Sequence, residues 1–205
     1  MAETAAVKSK DYTPIFRVSY QHAFEPSETD NGSKVWSVTC IFDEKSFSDA
    51  DKKRFEAMRK AVQAVKDKKW PGVKGGFKPT FRKGTEEEFD LEKNPEYKDK
   101  IIVTLRSYGR PCTVLDRNKN EIKNPDDFYS GCYAVATWTV YPYDRKEGKG
   151  VSFGLGNIIK LRDGEPLVSR RSAEDDFGTL DVSEWGADNS AMFDGDSEDD
   201  GLGDL

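Results

Sequence analysis

The chain has 205 residues, of which 36% are apolar and 12% aromatic, and a formal net charge of −6. This length allows one large domain or two small ones, with enough apolar residues for a folded core. No apolar run reaches the roughly 20 residues of a membrane span, and residues 1–10 lack the apolar stretch of a secretory signal. We therefore expect a cytoplasmic protein without a membrane partner.

The net charge conceals an uneven distribution along the chain. Of the 38 acidic residues, 12 lie in residues 173–205, which contain no lysine or arginine. The remaining 26 acidic residues are accompanied by all 32 basic residues, so residues 1–172 are basic. This pattern predicts that an acidic tail can occupy the site that a basic body offers to a polyanion.

The first half of the chain predicts a β-hairpin followed by a helix. Residues 15–24 and 34–42 alternate apolar and polar side chains, with residues 25–33 as the loop between two antiparallel strands. The apolar face of the first strand contains Phe16, Val18, Tyr20, His22 and Phe24. Residues 48–69 have apolar positions at helical spacing, with Ser48 as the cap and Asp51 completing a capping box. We interpret the basic face of this helix as solvated surface, with a DNA contact as the alternative.

The middle of the chain predicts a basic loop and further strands. Residues 73–84 interleave lysine and arginine with two phenylalanines and three glycines, which indicates a mobile loop. Residues 101–108 read as a strand, and residues 113–122 as a hairpin around residues 116–120. Asn124 and Pro125 begin a short helical turn.

Residues 128–167 contain the strongest strand signal, and we expect them to form the central hairpin of the fold. The side chains expected in the core are Cys132, Ala134, Ala136, Trp138 and Val140. The intervening positions carry Tyr133, Tyr141 and Tyr143 on a wetter face. Gly154-Leu155-Gly156 lies inside the second strand and predicts a bulge or a close approach of backbones.

Six or seven strands and one main helix predict a mainly β domain. It spans residues 12–168, between a flexible N-terminus at residues 1–11 and a disordered acidic tail at residues 169–205. Exposed sheet edges can pair with a second copy of the chain, so a homodimer is one possible state.

Sequence motifs for catalysis are absent. The chain has no P-loop, no His-Glu-x-x-His and no Gly-x-Ser-x-Gly, and His22 is its only histidine. Cys40, Cys112 and Cys132 lack metal-ligand spacing and are expected to be buried thiols rather than ligands or disulfides. We expect a protein that is not an enzyme and carries no cofactor or metal.

Binding of single-stranded nucleic acid fits the residue pattern better. Such binding requires cations for phosphates and flat rings for unpaired bases. Cations and aromatic rings occur together in three places. These are residues 106–110, the part of the central hairpin beside Arg145, and the basic loop. The candidate binding residues are Arg106, Tyr108, Arg110, Tyr141, Tyr143, Lys146, Lys149, Lys74, Lys78, Phe81, Arg82 and Lys83.

The acidic tail carries isolated large apolar residues. They either bind another protein or have no binding role. The candidate partner-binding residues of the tail are Trp185, Phe193, Asp196, Glu198, Asp199, Asp200 and Leu205.

Several runs resemble a family of bacteriophage single-stranded-DNA-binding proteins. They are Phe128-Tyr129-Ser130-Gly131-Cys132-Tyr133; Tyr141, Tyr143 and Asp144; Gly150-Val151-Ser152 with Leu155; and Leu161-Arg162-Asp163-Gly164-Glu165-Pro166-Leu167. The resemblance covers residues 12–168. It implies an OB-fold barrel that binds without strong sequence preference and acts in phage DNA replication, recombination and repair in an infected bacterium.

The acidic tail is similar to those of replicative single-strand-binding proteins, although it ends in Leu205 rather than an aromatic residue. The similarity implies competition with DNA and recruitment of phage replication proteins such as a polymerase or helicase. The alternative hypotheses are a phage adaptor or structural protein, and a metal-dependent nuclease or annealing recombinase.

Overall fold

Nine strands and one α-helix, with three short 3-10 helices between them, make up the regular structure of residues 7–29, 32–167 and 179–180, the residues that the computed structural model describes. They are β1 (Val7–Tyr12), β2 (Phe16–Glu28), β3 (Lys34–Phe42), α1 (Asp49–Lys69), β4 (Phe77–Lys78), β5 (Arg82–Lys83), β6 (Ile101–Tyr108), β7 (Val114–Leu115), β8 (Tyr133–Arg145) and β9 (Gly148–Arg162). No helix of the described residues is both long and apolar enough to cross a membrane.

The chain divides into two units, Met1–Val168 and Ser169–Leu205. Only Thr179 and Leu180 of the second unit are described. The tail residues predicted to bind a partner, and the predicted disorder of the tail, therefore lie outside the described residues. The same holds for the first six residues of the predicted flexible N-terminus.

Five strands close into a barrel. β2 pairs with β3, β3 with β6, β6 with β9, β9 with β8, and β8 returns to β2. The predicted mainly β, OB-fold-like barrel with one main helix is confirmed. The barrel is not antiparallel throughout, because β4, β6 and β7 each pair with β9 in parallel.

The barrel interior follows the predicted alternation along β8. The five side chains expected in the core are each at most 3% exposed. The Trp138 ring meets the Phe153 ring of β9 edge-on, with centroids 5.3 Å apart. Burial of these apolar side chains is the main term that stabilises the barrel.

Helix α1 closes against the barrel through Phe55, Met58 and Val62, which are buried in the same core. The predicted cap is confirmed, because the Asp51 N–H donates to Ser48 Oγ at 3.1 Å. Asp51 also joins the helix to the barrel, since its carboxylate accepts from the Ile15 N–H at 3.3 Å.

The predicted facing of β2 is wrong at Tyr20 and His22, which are exposed, whereas Phe24 packs against the core as predicted. The register with β3 shifts by one residue between Ser19 and His22, so β2 carries one extra residue in a bulge. Tyr20 has a φ of 39° and is 58% exposed, and Ala23 takes the buried position instead. A bulge reverses the side on which later residues point, which simple alternation does not foresee. The strand also continues to Glu28, through part of the predicted loop.

The first and last of the sequence runs that carry the family resemblance, residues 128–133 and 161–167, contact each other. Tyr129 Oη donates to the Gly164 carbonyl at 2.9 Å, and the Leu167 N–H donates to the Ser130 carbonyl at 2.9 Å. Gly131 has a φ of 123° and lies so close to the Glu165 backbone that a Cβ would clash with it. These two runs therefore have a structural role, because they hold the start of β8 against the segment that follows β9.

Candidate nucleic-acid interface

The candidate interface is built on the outward face of β6, β8 and β9. Arg106 of β6 is paired with Gly154 of β9, and Tyr141 of β8 is paired with Ser152 of β9. Because paired residues project to the same side of a sheet, the arginine and the tyrosine share one face. The opposite face of these strands supplies the core.

Glycines in β9 shape this face into a trough. A Cβ at Gly154 would meet Thr139 Oγ1, and one at Gly156 would meet Thr137 Oγ1 and its carbonyl. The absence of side chains lets the neighbouring threonines lie over the β9 backbone. The close approach predicted for Gly154-Leu155-Gly156 is thus confirmed.

Two adjoining cavities of about 380 Å³ and 930 Å³ form a groove on this face, which we call the central groove. They share Tyr108, Tyr143 and Arg145. The first is lined by Pro79, Thr80, Arg82, Thr104, Arg106, Tyr108, Tyr141, Tyr143, Arg145, Val151, Ser152 and Phe153. The second is lined by Thr29, Ser33, Lys78, Tyr108, Tyr143, Arg145, Glu147 and Gly148.

The central groove is strongly cationic. Its lining includes Arg82, Arg106, Arg145 and Lys78, against the single carboxylate of Glu147. Within the described part of the chain, none of the four cations forms a salt bridge. Such unpaired cations attract a polyanion and release its counterions on contact.

Arg82 and Arg106 concentrate positive charge at one end of the groove. Burial, and secondly the charge of Arg106, lowers the pKa of the Arg82 guanidinium from its ordinary value. The guanidinium carbon of Arg82 lies 4.4 Å from the centroid of the Phe89 ring, a cation–π contact that positions it. Two neighbouring guanidiniums are stabilised together when an anion such as a phosphate lies between them.

The tyrosines of the groove combine packing with exposure. Burial raises the pKa of Tyr141, with Tyr108 and Arg106 near enough to affect it as well. Tyr108 is 46% exposed, so a large part of its ring is open to a ligand. The Tyr143 ring lies 6.0 Å from the Arg145 guanidinium carbon. The groove therefore offers flat rings beside cations.

Six of the twelve predicted binding residues lie in the central groove. They are Lys78, Arg82, Arg106, Tyr108, Tyr141 and Tyr143. The structure does not bring the other six into its lining. They are Lys74, Phe81, Lys83, Arg110, Lys146 and Lys149. The role of every one of these residues in DNA binding stays a prediction.

Phe81 occupies the core side of its loop rather than the groove. Its ring packs edge-on against Phe55 at 5.3 Å and Phe153 at 5.7 Å between centroids. The ring is partly buried and bridges the helix and the barrel, and its contact with a base stays a prediction. No local pattern separates a core ring from a surface ring in a loop that lacks alternation.

Lys149 lies in a separate cluster around Phe77. The ammonium groups of Lys66 and Lys149 are 5.0 Å and 5.2 Å from the centroid of the Phe77 ring, and the Trp70 ring packs against Phe77 at 5.2 Å. No sequence pattern connects Lys66 with this loop, because the contact depends on where the end of α1 docks.

Three residues with hydroxyl side chains line the groove but are not among the candidate binding residues. Thr80 and Thr104 line it, as does Ser152. Thr80 Oγ1 donates to the Val151 carbonyl at 2.7 Å, which ties the loop before β5 to β9. Alternation along β6 already indicated the side of Thr104, whereas Thr80 and Ser152 resemble any surface hydroxyl.

A model of the family described as Enterobacter phage Enc34, ssDNA-binding protein, matches residues 10–188. The chain belongs to this family. The family resemblance drawn from the sequence is thereby confirmed.

Solved structures show the same fold. The single-stranded DNA-binding protein of bacteriophage Enc34 in complex with ssDNA superposes with a TM-score of 0.63 and 18% identity, covering 80% of this chain and 99% of that one. The single-stranded DNA binding protein gp2.5 of bacteriophage T7 superposes with a TM-score of 0.54 and 12% identity, covering 88% and 100%.

A curated relative is the putative protein p50 of Acyrthosiphon pisum secondary endosymbiont phage 1. It is 33% identical over 106 residues, which are 51% of this chain and 54% of the relative. The match thus spans about half the length of each protein.

Proposed function

We propose that this protein binds and coats single-stranded DNA without strong sequence preference. The observation that carries the proposal is the central groove, in which three arginines and three tyrosines meet on one face of the barrel. Membership in the Enc34 family supports the same conclusion.

Arginines of the groove bind the DNA backbone in this proposal. Arg82 and Arg106 hold one phosphate between them, and Arg145 and Lys78 follow the strand into the second cavity. Contacts with phosphates position a strand but do not read its bases. Binding therefore weakens steeply with salt, because each neutralised phosphate releases counterions.

Tyrosines of the groove stack on unpaired bases. Tyr108 is the most exposed ring, while Tyr141 and Tyr143 are half-buried and anchored on β8. Every base has a π-face, so stacking tolerates any sequence. A duplex hides these faces in its own stack, which favours single strands over paired DNA.

In the infected bacterial cytoplasm, this binding acts stoichiometrically in phage DNA replication, recombination and repair. The protein coats the strand, melts hairpins and excludes nucleases. The acidic residues 173–205 compete with DNA for the groove. When DNA displaces them, they become available to recruit a replication protein such as a polymerase or helicase.

A fluorescence titration with poly-dT tests the binding proposal. We expect poly-dT to quench the tryptophan and tyrosine fluorescence of the full chain. In Arg106→Gln we expect roughly threefold to tenfold weaker binding at about 0.1 M salt and a salt slope smaller by about 1.

The matched control is Arg117→Gln, because Arg117 is exposed and lines neither cavity of the groove. It should leave both affinity and salt slope unchanged. Equal losses in the two variants would show that net charge, and not the groove, governs binding. An absence of any poly-dT binding by the wild-type chain would refute the function.

A further inference from the structure

Tyr20 is an exposed aromatic residue in a strained backbone conformation. Its φ of 39° lies in the region that non-glycine residues rarely adopt, and the ring is 58% exposed. The bulge in β2 turns the side chain out of the core, although it lies in a strand whose neighbours Val18 and Ala23 are buried. Such strain persists only where surrounding contacts hold it, and it is frequent at binding sites.

Contacts with the loop before β6 hold Tyr20 in place. Tyr20 Oη donates to Asn94 Oδ1 at 2.8 Å. The neighbouring residue Ser19 is within hydrogen-bond distance of Tyr97, whose phenol oxygen lies 3.0 Å from Ser19 Oγ. Tyr97 is buried and packs edge-on against Phe89 at 5.0 Å. The exposed ring therefore stands on a fixed support.

Strand register places this support on the same sheet face as the central groove. Ser19 pairs with Thr39 of β3, and Thr39 pairs with Thr104 of β6, which lines the groove. The next row on that face runs from His22 through Ser37 to Arg106. Side chains of paired residues project to one side of a sheet. The bulge that contains Tyr20 thus lies two strands from Arg106, about 10 Å away.

Tyr97 and Phe89 connect the two places. Burial raises the pKa of Tyr97 to about 12, and both Tyr20 and Arg82 are close enough to contribute. The Phe89 ring packs against Tyr97 on one side and lies below the Arg82 guanidinium at 4.4 Å. One packed cluster therefore supports a cation of the groove and the ring of Tyr20.

The row of residues between them on β3 carries small, largely buried side chains. Thr39 and Thr104 place their hydroxyl oxygens 3.3 Å apart, and Ser37 stands beside Arg106. Ser37 and Thr39 are only 9% and 8% exposed, so a nucleotide backbone that crosses β3 passes above this packed row. The nucleic-acid strand would then reach β2 at the bulge.

We propose that Tyr20 is a further base-stacking residue, which binds a nucleotide that leaves the central groove across β3 toward β2. This inference rests on the proposed single-stranded-DNA binding and extends its path. It assigns a binding role to a bulge that the alternation pattern had placed in the core.

Binding of oligo-dT of two lengths to Tyr20→Asn tests the inference. Asparagine tolerates a positive φ, so the bulge is retained while the ring is lost. With about 20 nucleotides we expect roughly fivefold to a hundredfold weaker binding, while about 4 nucleotides, the lower end of OB-fold site sizes, bind as in the wild type. The salt slope should stay unchanged, because a stacked ring releases no counterions.

Two control variants separate stacking from support. Tyr20→Phe keeps the ring and should bind both lengths within about twofold of the wild type. Asn94→Ala removes the hydrogen-bond acceptor of Tyr20, together with the bond from Asn94 Nδ2 to the Asp90 carbonyl, and should cost less than Tyr20→Asn. Thermal unfolding of each variant shows whether the fold is intact.

Photocrosslinking supplies an independent readout. An oligo-dT of about 20 nucleotides carrying one 5-iodouracil should crosslink to a peptide that contains Tyr20 in the folded wild-type chain. If the wild type binds DNA but Tyr20→Asn loses less than twofold and no such peptide is found, the inference is wrong while the proposed function stands. If the wild type binds neither length, the function itself fails.

Discussion

Gly154 illustrates how one residue shapes the central groove. It stands on β9 opposite Thr139 of β8 and beside Arg106 of β6. The Thr139 hydroxyl fills the space that a Cβ would need, while the next nearest atom, Thr139 Cβ, would be 3.6 Å away. The crowding therefore involves a single oxygen atom.

Substitution Gly154→Ala should lower the free energy of unfolding by about 1–3 kcal/mol, because it overpacks this contact. The double variant Gly154→Ala/Thr139→Ala should recover most of the loss, since it removes the oxygen that clashes. Denaturant unfolding of the two single variants and the double variant measures the coupling.

Gly156 provides the contrasting case. A Cβ there would meet the Thr137 carbonyl at 3.0 Å as well as its hydroxyl, and that hydroxyl accepts from the Asn157 N–H at 2.8 Å. The pair Gly156→Ala/Thr137→Ala should therefore remain destabilised. Full recovery in this pair, or none in the Gly154 pair, would contradict the packing argument.

The helix α1 depends on a carboxylate that serves two elements. Asp51 accepts from Ser48 and Arg54 within the helix and from the Ile15 N–H at the start of β2. Burial alone would raise the pKa of Asp51, but these hydrogen bonds outweigh it and hold the pKa below its usual value. The charged form is thus favoured in the folded state.

Substitution Asp51→Asn should cost about 1–3 kcal/mol of unfolding free energy at neutral pH. A carboxyl with a depressed folded pKa contributes fully above its unfolded pKa of about 3.9, and the contribution is lost as the pH falls through the folded value. The difference between wild type and variant should therefore shrink below about pH 4. Denaturant unfolding across a pH series measures it.

Asp49→Asn is the matched control for the helix. Asp49 lies in the same first turn, but its side chain is 93% exposed and pairs with Lys52, itself 63% exposed. The change should stay within about 0.5 kcal/mol of the wild type. A difference between wild type and Asp51→Asn that does not vary with pH would show that the titration of Asp51 does not matter.

Charge segregation is the property of the whole molecule that bears on regulation. Residues 1–172 are net positive and residues 173–205 contain 12 acidic residues without a cation. The central groove holds four cations and one carboxylate. Both the DNA and the tail are polyanions, so they compete for the same cations in the proposed mechanism.

Deletion of residues 173–205 should tighten binding to oligo-dT by roughly threefold to thirtyfold at about 0.05 M salt. The gain should vanish near 1 M salt, where the Debye length is about 3 Å. A salt titration of both forms measures it, and a full-length tail with neutral Asn and Gln in place of its acids should match the deletion. Equal affinities of wild type and deletion at every salt concentration would exclude the competition.

Local sequence patterns were sufficient for the elements with regular periodicity. Alternation along β8 identified the buried side of the barrel, and apolar spacing with Ser48 and Asp51 identified α1 and its cap. Alternation along β6 and β8 likewise placed Arg106 and Tyr141 on the outward face that forms the groove. These features depend on neighbours in the chain, which a sequence displays directly.

Tertiary structure alone decided the features that depend on register and docking. The bulge at Tyr20 exists because β2 pairs out of step with β3, and Phe81 packs against the core because its loop lies between α1 and β9. Closure of the barrel through parallel pairing with β9 selects which cations line the groove. Such contacts join residues far apart in the chain, so no local periodicity encodes them.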